Sequence, residues 1–239
     1  MTELDGRFGL HQEFRSSVLR IGQERSPLLV VDNFLSDPEM LIDYAAAHAT
    51  FSSVNDTRYP GVRAPLPQIY SLAVRAYLGV LIAETFQLGA SPLAGELAFF
   101  SLVTKRPEQL RTWQRVPHFD NSDEQQLAVL HYLSPRDQGG TSFYRHRATG
   151  YEVIRPQRVV EYMAAVDAEL AAAETADAAF IGGDTVCFQR FAKVEGNYNR
   201  LIVYRSANLH SPDIPADFQF DRAPRTGRLT ANLFFKFAG

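Results

Sequence analysis

Apolar and polar positions follow a helical period through the first third of the chain, after one short strand-like run. The segment PLLVVDNF at 27–34 is apolar and rich in β-branched residues, which predicts a strand. Apolar positions spaced three and four residues apart then predict helices over 40–50 and 69–86. Three prolines and a glycine predict an irregular loop over 56–68. We therefore expect this part of the chain to support a core built elsewhere.

From about residue 97 the pattern changes to the two-residue alternation of β-strands. Strand-like runs occur at 97–104, 116–121, 127–134, 141–146, 184–191, 200–206 and 228–237. Strands at this density, joined by turn-rich segments, predict a sandwich, jelly roll or barrel. In an alanine-rich stretch, apolar residues at i, i+4, i+7 and i+11 predict a helical insertion over about 157–175. The expected fold class is α+β with a mainly β core, in one domain over 1–239 with supporting helices in 1–96 and the core in 97–239.

The composition is that of a globular protein and narrows the range of partners. Hydrophobic residues make up 46% of the chain and charged residues 21%, which excludes a disordered chain. The net charge of −3 supplies no field that would hold a polyanion, so we expect no nucleic acid partner. The single cysteine, Cys187, excludes an intramolecular disulfide and fits a reducing compartment. No secretory pattern opens the sequence and the apolar stretch 73–82 is too short to span a bilayer, so we expect a cytoplasmic protein with no membrane partner.

Two histidines and one aspartate are candidate metal ligands. His118 and Asp120 form a His-x-Asp pair, and in an extended segment their side chains point to the same face. His210 ends the apolar run RLIVYRSANLH, so we expect it at the end of a buried strand. Two histidines and one carboxylate leave coordination positions open, as in non-haem Fe(II) oxygenases. The alternatives are a surface turn for the His-x-Asp pair and a hydrogen-bonded strand-end residue for His210. His131 and His146 are interpreted as hydrogen-bonded core or rim residues.

The last predicted strand carries a candidate carboxylate clamp. In RLTANLFFKF, apolar residues alternate with a second face that begins with Arg228 and Thr230. Arginine offers a bidentate fork to a carboxylate, and threonine offers a further hydrogen bond. Arg222 and Arg225 are nearby alternatives, but they lie in a loop that contains aspartate and proline, so strand phase favours Arg228.

The order His118-x-Asp120, His210, Arg228-x-Thr230 resembles the Fe(II)/2-oxoglutarate-dependent dioxygenases, and most of all their prolyl-4-hydroxylase-like branch. LLVVDNFLSDPEMLIDYA resembles the strand-then-helix entry of that branch, and LHYLSP followed by GGTSFYRH resembles its central strands. The resemblance covers about residues 27–237. It implies a double-stranded β-helix, or jelly roll, with N-terminal supporting helices and one helical insertion.

The resemblance also implies a set of roles. His118, Asp120 and His210 would bind Fe(II), and Arg228, Thr230 and Tyr132 would bind 2-oxoglutarate. The expected activity is hydroxylation by molecular oxygen, with release of succinate and CO2. A carboxylate at Asp120 implies an oxygenase and not a halogenase, because a halogenase needs that position vacant.

The substrate is the open part of this interpretation. An amino acid, a peptide and a small metabolite are all compatible, and an oligomer is possible. Candidate substrate contacts are Arg63, on the loop expected over 56–68, and Tyr144 and Arg145, at a strand end. Two other functions stay open, a cupin-type metal protein without 2-oxoglutarate and a non-catalytic jelly-roll binding module. The Arg-x-Thr strand argues against the first, and the complete set of three candidate ligands argues against the second.

Overall fold

The computed structural model describes residues 8–53, 59–172 and 179–239. In these residues the strands are β1 (Arg15–Ile21), β2 (Ser26–Asp32), β3 (Ser52–Ser53), β4 (Gly61–Pro65), β5 (Leu93–Val103), β6 (Gln126–Tyr132), β7 (Gly140–His146), β8 (Phe188–Val194), β9 (Leu201–Arg205), β10 (His210–Asp213) and β11 (Leu229–Phe237). The α-helices are α1 (Glu39–His48), α2 (Gln68–Phe86) and α3 (Val159–Ala172). Short 3-10 helices lie at Pro107–Gln109, Thr112–Gln114 and Pro156–Arg158. This is the mainly β fold with few helices that the sequence predicts.

Two antiparallel sheets form the core. The larger sheet has the strand order β1-β2-β9-β6-β11-β5-β4-β3, and the smaller has β10-β7-β8. An apolar cluster lies between them and joins residues of β2, β6 and β9 to Phe143 of β7 and Val194 of β8. The rings of Phe143 and Tyr204 meet edge to face across this space, 5.2 Å apart. The candidate site lies in the same space.

Helices cover the outer faces of both sheets. The apolar face of β11, with Leu229, Ala231, Leu233 and Phe235, packs in the cluster that contains the buried faces of α1 and α2. On the other side, Tyr162 and Val166 of α3 pack against the smaller sheet. The helical insertion is thus confirmed where it is described; its predicted last residues, 173–175, lie outside the described residues.

Helix α2 is longer and more apolar than the stretch 73–82 suggests. By length and composition alone it is the one helix of the described chain that could cross a membrane. The core helix of a globular protein can have the same length and composition. Seven residues of α2 are buried in this protein, at positions mostly three and four apart, as expected for such a core helix.

Several predicted elements differ from the structure. Strand β1 was not predicted, because its sequence RSSVLRI does not alternate between apolar and polar residues. In the structure six of its seven residues are exposed, so the strand has no apolar face. Residues 56–58 of the loop expected over 56–68 lie outside the described residues, and the rest contains strand β4, whose prolines lie at or beside its ends, where a missing N–H is tolerated. The single strand expected to end at His210 is two strands in different sheets, separated by a turn after Arg205. Strand β8 begins at Phe188, so Cys187 lies outside it and is partly exposed.

His131 is a hydrogen-bonded core residue, as predicted. It lies fully buried on β6, with Nδ1 2.9 Å from the Tyr70 hydroxyl and Nε2 3.1 Å from Oδ1 of Asn199. Burial lowers the pKa of His131 to about 4, and the hydrogen bond that His131 donates to Oδ1 of Asn199 only partly opposes this. The unfolded chain therefore takes up a proton near pH 6.5 that the folded protein does not accept until about pH 4.

This difference predicts acid sensitivity. Stability contributed by neutral His131 is present above pH 6.5 and is lost as the pH falls toward 4, by about 2 kcal/mol at pH 5. In His131→Asn, the fall in unfolding free energy between pH 7 and pH 5 should be smaller by that amount, measured by urea denaturation. His48→Asn, at an exposed position, is the control and should keep the wild-type pH slope. An unchanged slope in His131→Asn would show that His131 does not titrate as described.

Candidate active site

The backbone sets His118 and His210 directly opposite each other. The His118 N–H donates to the His210 carbonyl, and the His210 N–H donates to the His118 carbonyl, each at 2.8 Å. This is a closely spaced antiparallel pair, which joins the segment before β6 to strand β10. The two imidazole ring centroids are 4.3 Å apart. The strand predicted over 116–121 is thus reduced to one bridge, and that bridge positions both histidines.

Asp120 completes a cluster of three ligand atoms. Its Oδ1 lies 3.7 Å from Nε2 of His118, and its Oδ2 lies 3.5 Å from Nε2 of His210. One ligand atom from each of the three residues lies within 4.8 Å of the other two. The Asp120 N–H donates to the Ser206 carbonyl at 2.8 Å, which fixes the backbone that carries the carboxylate. The structure therefore brings all three predicted ligands together.

The hydrogen bonding of His210 suits metal binding. Its Nδ1 lies 2.9 Å from the Asn208 carbonyl oxygen, which can only accept, so Nδ1 carries the proton. Nε2 then has a free lone pair, and it is the nitrogen that lies near Asp120. A second hydrogen bond that fixes the tautomer is typical of metal-ligating histidines. Two imidazoles and one carboxylate form the donor set that non-haem Fe(II) sites use. The residues present fit such a metal.

Arg228 is buried just before β11 and is 3% exposed. Its Nε donates to the Gln138 carbonyl at 3.0 Å and its Nη2 to the Gly140 carbonyl at 2.8 Å. These bonds occupy the Nε and Nη2 edge of the guanidinium group, which the sequence predicts to bind a carboxylate. Three of the five N–H donors of a guanidinium remain. No described carboxylate forms an ion pair with Arg228.

Polar side chains of β11, β6 and β7 surround this arginine. Thr230 accepts a hydrogen bond from the Asn232 amide at 3.0 Å, and both residues line the cavity. The Tyr132 hydroxyl lies 2.7 Å from Oγ1 of Thr141, which also lines the cavity. Burial raises the pKa of Tyr132 to about 12, with Arg228 opposing, so the phenol is neutral at ordinary pH. Tyr132 therefore reaches the cavity through Thr141.

Arg63 faces the cavity from a strand and not from a loop. It lies on β4 opposite Ser101 of β5, and Ser101 in turn lies opposite Thr230 of β11. Its guanidinium carbon is 4.1 Å from the ring centroid of Phe99 and 4.9 Å from that of Tyr59. Burial lowers the pKa of Arg63, while Tyr59 and Asp120 oppose the shift.

Tyr144 and Arg145 do not reach the cavity. Tyr144 is fully buried on the other face of the smaller sheet, in the cluster that contains Tyr162 of α3. Arg145 forms a salt bridge with the buried carboxylate of Glu152, which also accepts the backbone N–H groups of Gln23 and Glu24. Side chains alternate along β7, so Phe143, which turns toward His210, leaves its neighbour Tyr144 on the opposite face, and the extra residue of the nearby β-bulge lies in β8. Arg222 and Arg225 are exposed, and Arg225 pairs with Asp43.

Other cavity residues were not predicted. The Tyr204 ring packs 4.9 Å from that of His210, and burial raises the pKa of its hydroxyl far above 10. Tyr204 lies in a predicted strand, and strand phase would have placed it on the face that turns toward the second sheet. Strand phase does not predict the position of Tyr59, because the sequence predicts an irregular loop over 56–68. With these residues and Leu130, Pro212 and Phe234, the lining encloses about 60 Å³.

The fold and the site define a mainly β protein with a candidate two-histidine, one-carboxylate metal centre. Residues 12–235 match the family of unknown function DUF6445, and the chain belongs to that family. None of the curated proteins matches the chain.

Solved structures similar to this chain share little sequence with it. The non-heme alpha ketoglutarate dependent epimerase SnoN from nogalamycin biosynthesis is 11% identical, with a TM-score of 0.49 over 89% of this chain and 78% of that chain. HygX from Streptomyces hygroscopicus, solved with nickel, 2-oxoglutarate and hygromycin B, is 12% identical, with a TM-score of 0.48 over 89% and 84%. An N-substituted L-amino acid dioxygenase from Burkholderia ambifaria AMMD is 12% identical, with a TM-score of 0.40 over 95% of each chain. At these identities and scores, the likenesses assign no activity to this chain.

Proposed function

We propose that this protein is an Fe(II)- and 2-oxoglutarate-dependent dioxygenase of the prolyl-4-hydroxylase-like kind, which hydroxylates an amino acid, a peptide or another small molecule. The observation that carries the proposal is one cavity with two chemically distinct regions. One region holds the His118, Asp120 and His210 cluster, and the other holds buried Arg228, which has no described carboxylate partner. A metal-chelating dianion with a distal carboxylate is the kind of ligand that needs both.

The order in which the chain visits the two sheets supports a double-stranded β-helix. After β5 in the larger sheet, His118 bridges to the smaller sheet, β6 returns to the larger, and β7 and β8 pair in the smaller. Strands β9, β10 and β11 then lie in the larger, smaller and larger sheets. In such a jelly roll the two sheets enclose a ligand cavity between them. The proposed metal site lies where His118 and His210 pair at the smaller sheet.

The chain's own residues would bind and orient the reactants. Bound iron and 2-oxoglutarate would supply the oxidising chemistry, in which O2 converts 2-oxoglutarate to succinate and CO2 and one oxygen atom enters the substrate. Arg228 would donate to the distal carboxylate through the guanidinium donors that Gln138 and Gly140 leave free, with Thr230 beside it.

Apolar groups would protect the centre from water. The rings of Phe143 and Tyr204 pack against His210, which is 5% exposed. A dry environment strengthens the charge-assisted contacts of Asp120 and Arg228 with their ligands. Molecular oxygen and the substrate would then reach the metal from the more open side of the cavity. We expect the protein to work in the cytoplasm.

The proposal predicts turnover of 2-oxoglutarate by the iron-loaded protein. Even without the substrate, we expect slow formation of succinate in air, measured by mass spectrometry, which stops when Fe(II) is omitted. Asp120→Ala should reduce this rate to the level of free Fe(II), whereas Asp43→Ala, an exposed aspartate remote from the cavity, should not change it. Metal binding without any succinate would instead indicate a non-catalytic jelly-roll binding module.

Tyr132→Phe should have a modest effect on 2-oxoglutarate binding. The change removes the hydroxyl that positions Thr141 in the cavity wall, and a bound 2-oxoglutarate that loses one neutral hydrogen bond from Thr141 as a result binds about 1 kcal/mol more weakly. We expect the dissociation constant of 2-oxoglutarate to rise about five-fold, measured by anaerobic calorimetry on the Fe(II)-loaded protein. Tyr198→Phe, a partly exposed tyrosine that donates to Glu39, serves as the control. Unchanged affinity in Tyr132→Phe would mean that this tyrosine belongs to the core alone.

A further inference from the structure

A second group of polar atoms has no role in the function proposed above; Tyr59 and Arg63 line the same cavity, and Ser101 lies beside Arg63 in the sheet. Nε of Arg63, the Ser101 hydroxyl and the Tyr59 hydroxyl are all buried without a hydrogen-bond partner of ordinary geometry. Ser101 and Thr230 nevertheless lie near enough to the Tyr59 hydroxyl to oppose the rise that burial causes in its pKa. Buried polar groups in folded proteins are nearly always satisfied. Three unsatisfied groups that offer hydrogen to an acceptor, side by side, indicate an anionic or strongly accepting ligand.

Arg63 is also a cation without an ion pair among the described residues. Asp120 attracts the Arg63 guanidinium electrostatically, and the faces of the guanidinium lie over the rings of Phe99 and Tyr59. Stacking on aromatic faces leaves the edge donors of a guanidinium available for a planar acceptor such as a carboxylate. The register β11-β5-β4 places Arg63 two strands away from Thr230. The backbones of β4 and β11 are therefore about 10 Å apart at this level of the sheet.

The charges of the cavity require one more anion. Among the described lining residues, Arg63 and Arg228 are positive and Asp120 is negative, so one positive charge is in excess. Fe(II) and the 2-oxoglutarate dianion, which this inference takes from the proposed function, cancel each other. The remaining positive charge lies at Arg63, since Arg228 is assigned to 2-oxoglutarate.

An apolar surface continues from Arg63 away from Arg228. Phe99 packs on Phe234 with ring centroids 5.7 Å apart, and Leu97 lies opposite Phe234 in the sheet register. These side chains share the sheet face that carries Ser101, and Leu97 is 64% exposed although it lies on that inward-turned face. An apolar body attached to a carboxylate would cover this surface while its charge meets Arg63.

We propose that Arg63, Ser101 and Tyr59 form a second anion subsite, which binds the carboxylate of the organic substrate while its apolar body lies along Phe99, Phe234 and Leu97. The substrate class is thus an apolar monocarboxylate. Arg63 is a specificity-determining residue in this scheme, and its role is separate from that of Arg228.

The test is a binding experiment with matched probes on the full chain. A series of ω-phenylalkanoates from phenylacetate to 6-phenylhexanoate, each with its neutral amide, is titrated anaerobically by calorimetry into protein loaded with Fe(II) and 2-oxoglutarate. We expect at least one carboxylate to bind ten-fold or more tightly than its amide. Arg63→Gln should remove this preference and change the 2-oxoglutarate affinity less than two-fold. Arg228→Gln should do the reverse, and exposed Arg222→Gln should change neither.

A second variant covers the case in which Arg63→Gln does not fold. Ser101→Ala removes a small buried hydroxyl that has no hydrogen bond of ordinary geometry, so we expect it to destabilise the protein little. It should weaken the best carboxylate about three-fold or more and leave its amide unchanged.

Three results would overturn the inference. The first is that no carboxylate of the series binds more tightly than its amide. The second is that Arg63→Gln loses 2-oxoglutarate instead of the probe, which would place Arg63 in the cosubstrate site. The third is that Ser101→Ala weakens the acid and the amide alike. If the wild type binds no 2-oxoglutarate, the proposed function fails. The subsite would still be supported if the metal-free wild type binds a carboxylate more tightly than its amide and Arg63→Gln abolishes that difference.

Discussion

Replacing His210 with alanine is expected to weaken Fe(II) binding about a hundred-fold or more while the protein stays folded. Loss of a residue that only hydrogen-bonds a metal ligand already costs about 10–100-fold in metal affinity, and His210 is one of three proposed direct ligands. The fold should survive because the β-bridge that positions His210 is made by its backbone, and alanine keeps those two hydrogen bonds. Anaerobic titration with Fe(II), followed by competition with a chelator, measures the affinity.

The matched control for this experiment is His48→Ala. His48 is exposed near the end of α1 and should leave the Fe(II) affinity unchanged. Circular dichroism and thermal melting of both variants show whether the fold is kept. Wild-type affinity for Fe(II) in a folded His210→Ala protein would remove His210 from the metal centre.

The second large effect is expected at Arg228. Truncating one partner of a buried charge pair costs about 2–5 kcal/mol, so Arg228→Ala should weaken 2-oxoglutarate by a factor of about 30 to several thousand. Arg228→Lys keeps the charge but loses the fork, and it should restore only part of the affinity. The alanine variant also leaves the buried carbonyls of Gln138 and Gly140 without their donor, so we expect a loss of stability of about 1–3 kcal/mol. Titrations should therefore be made well below the melting temperature of each variant.

Arg222→Ala and Arg225→Ala are the controls for Arg228. Both arginines are exposed in the segment before β11, and both variants should bind 2-oxoglutarate like the wild type. A loss of affinity in either, with full affinity in Arg228→Ala, would move the carboxylate clamp to that segment.

Strand periodicity predicted the parts of the site that lie on regular strands. The alternation in β11 placed Arg228 and Thr230 on one face and the core residues on the other, and the structure keeps that phase. The His-x-Asp spacing likewise predicted that His118 and Asp120 would share a face, although only one residue of that segment pairs as a strand.

Other features depended on information that local patterns do not contain. The sequence predicts His210 at the end of the strand that begins near residue 200, but His210 opens a separate strand in the smaller sheet, since a turn after Arg205 transfers the chain between sheets. Tyr144 is a predicted substrate contact, but the alternation that turns Phe143 toward the cavity turns Tyr144 away from it, and the pairing of Phe143 with His210 of β10 sets that phase. The prolines around Arg63 predict a loop. In the structure Arg63 lies on β4, because β4 pairs with β5, and its partner in that pairing, Ser101, lies 38 residues further along the chain. Such pairings between distant segments decide positions that no local pattern encodes.

The most direct test of the proposed centre is the absorbance that appears when 2-oxoglutarate chelates Fe(II) through its keto-acid group. The account predicts a metal-to-ligand charge-transfer band when the wild-type protein, Fe(II) and 2-oxoglutarate are mixed without oxygen, and no band when any one of them is left out. The band should be absent in His210→Ala and should need far more 2-oxoglutarate in Arg228→Ala. Failure of the band to form in folded, iron-loaded wild-type protein at saturating 2-oxoglutarate would contradict the assignment of this cavity as a 2-oxoglutarate oxygenase site.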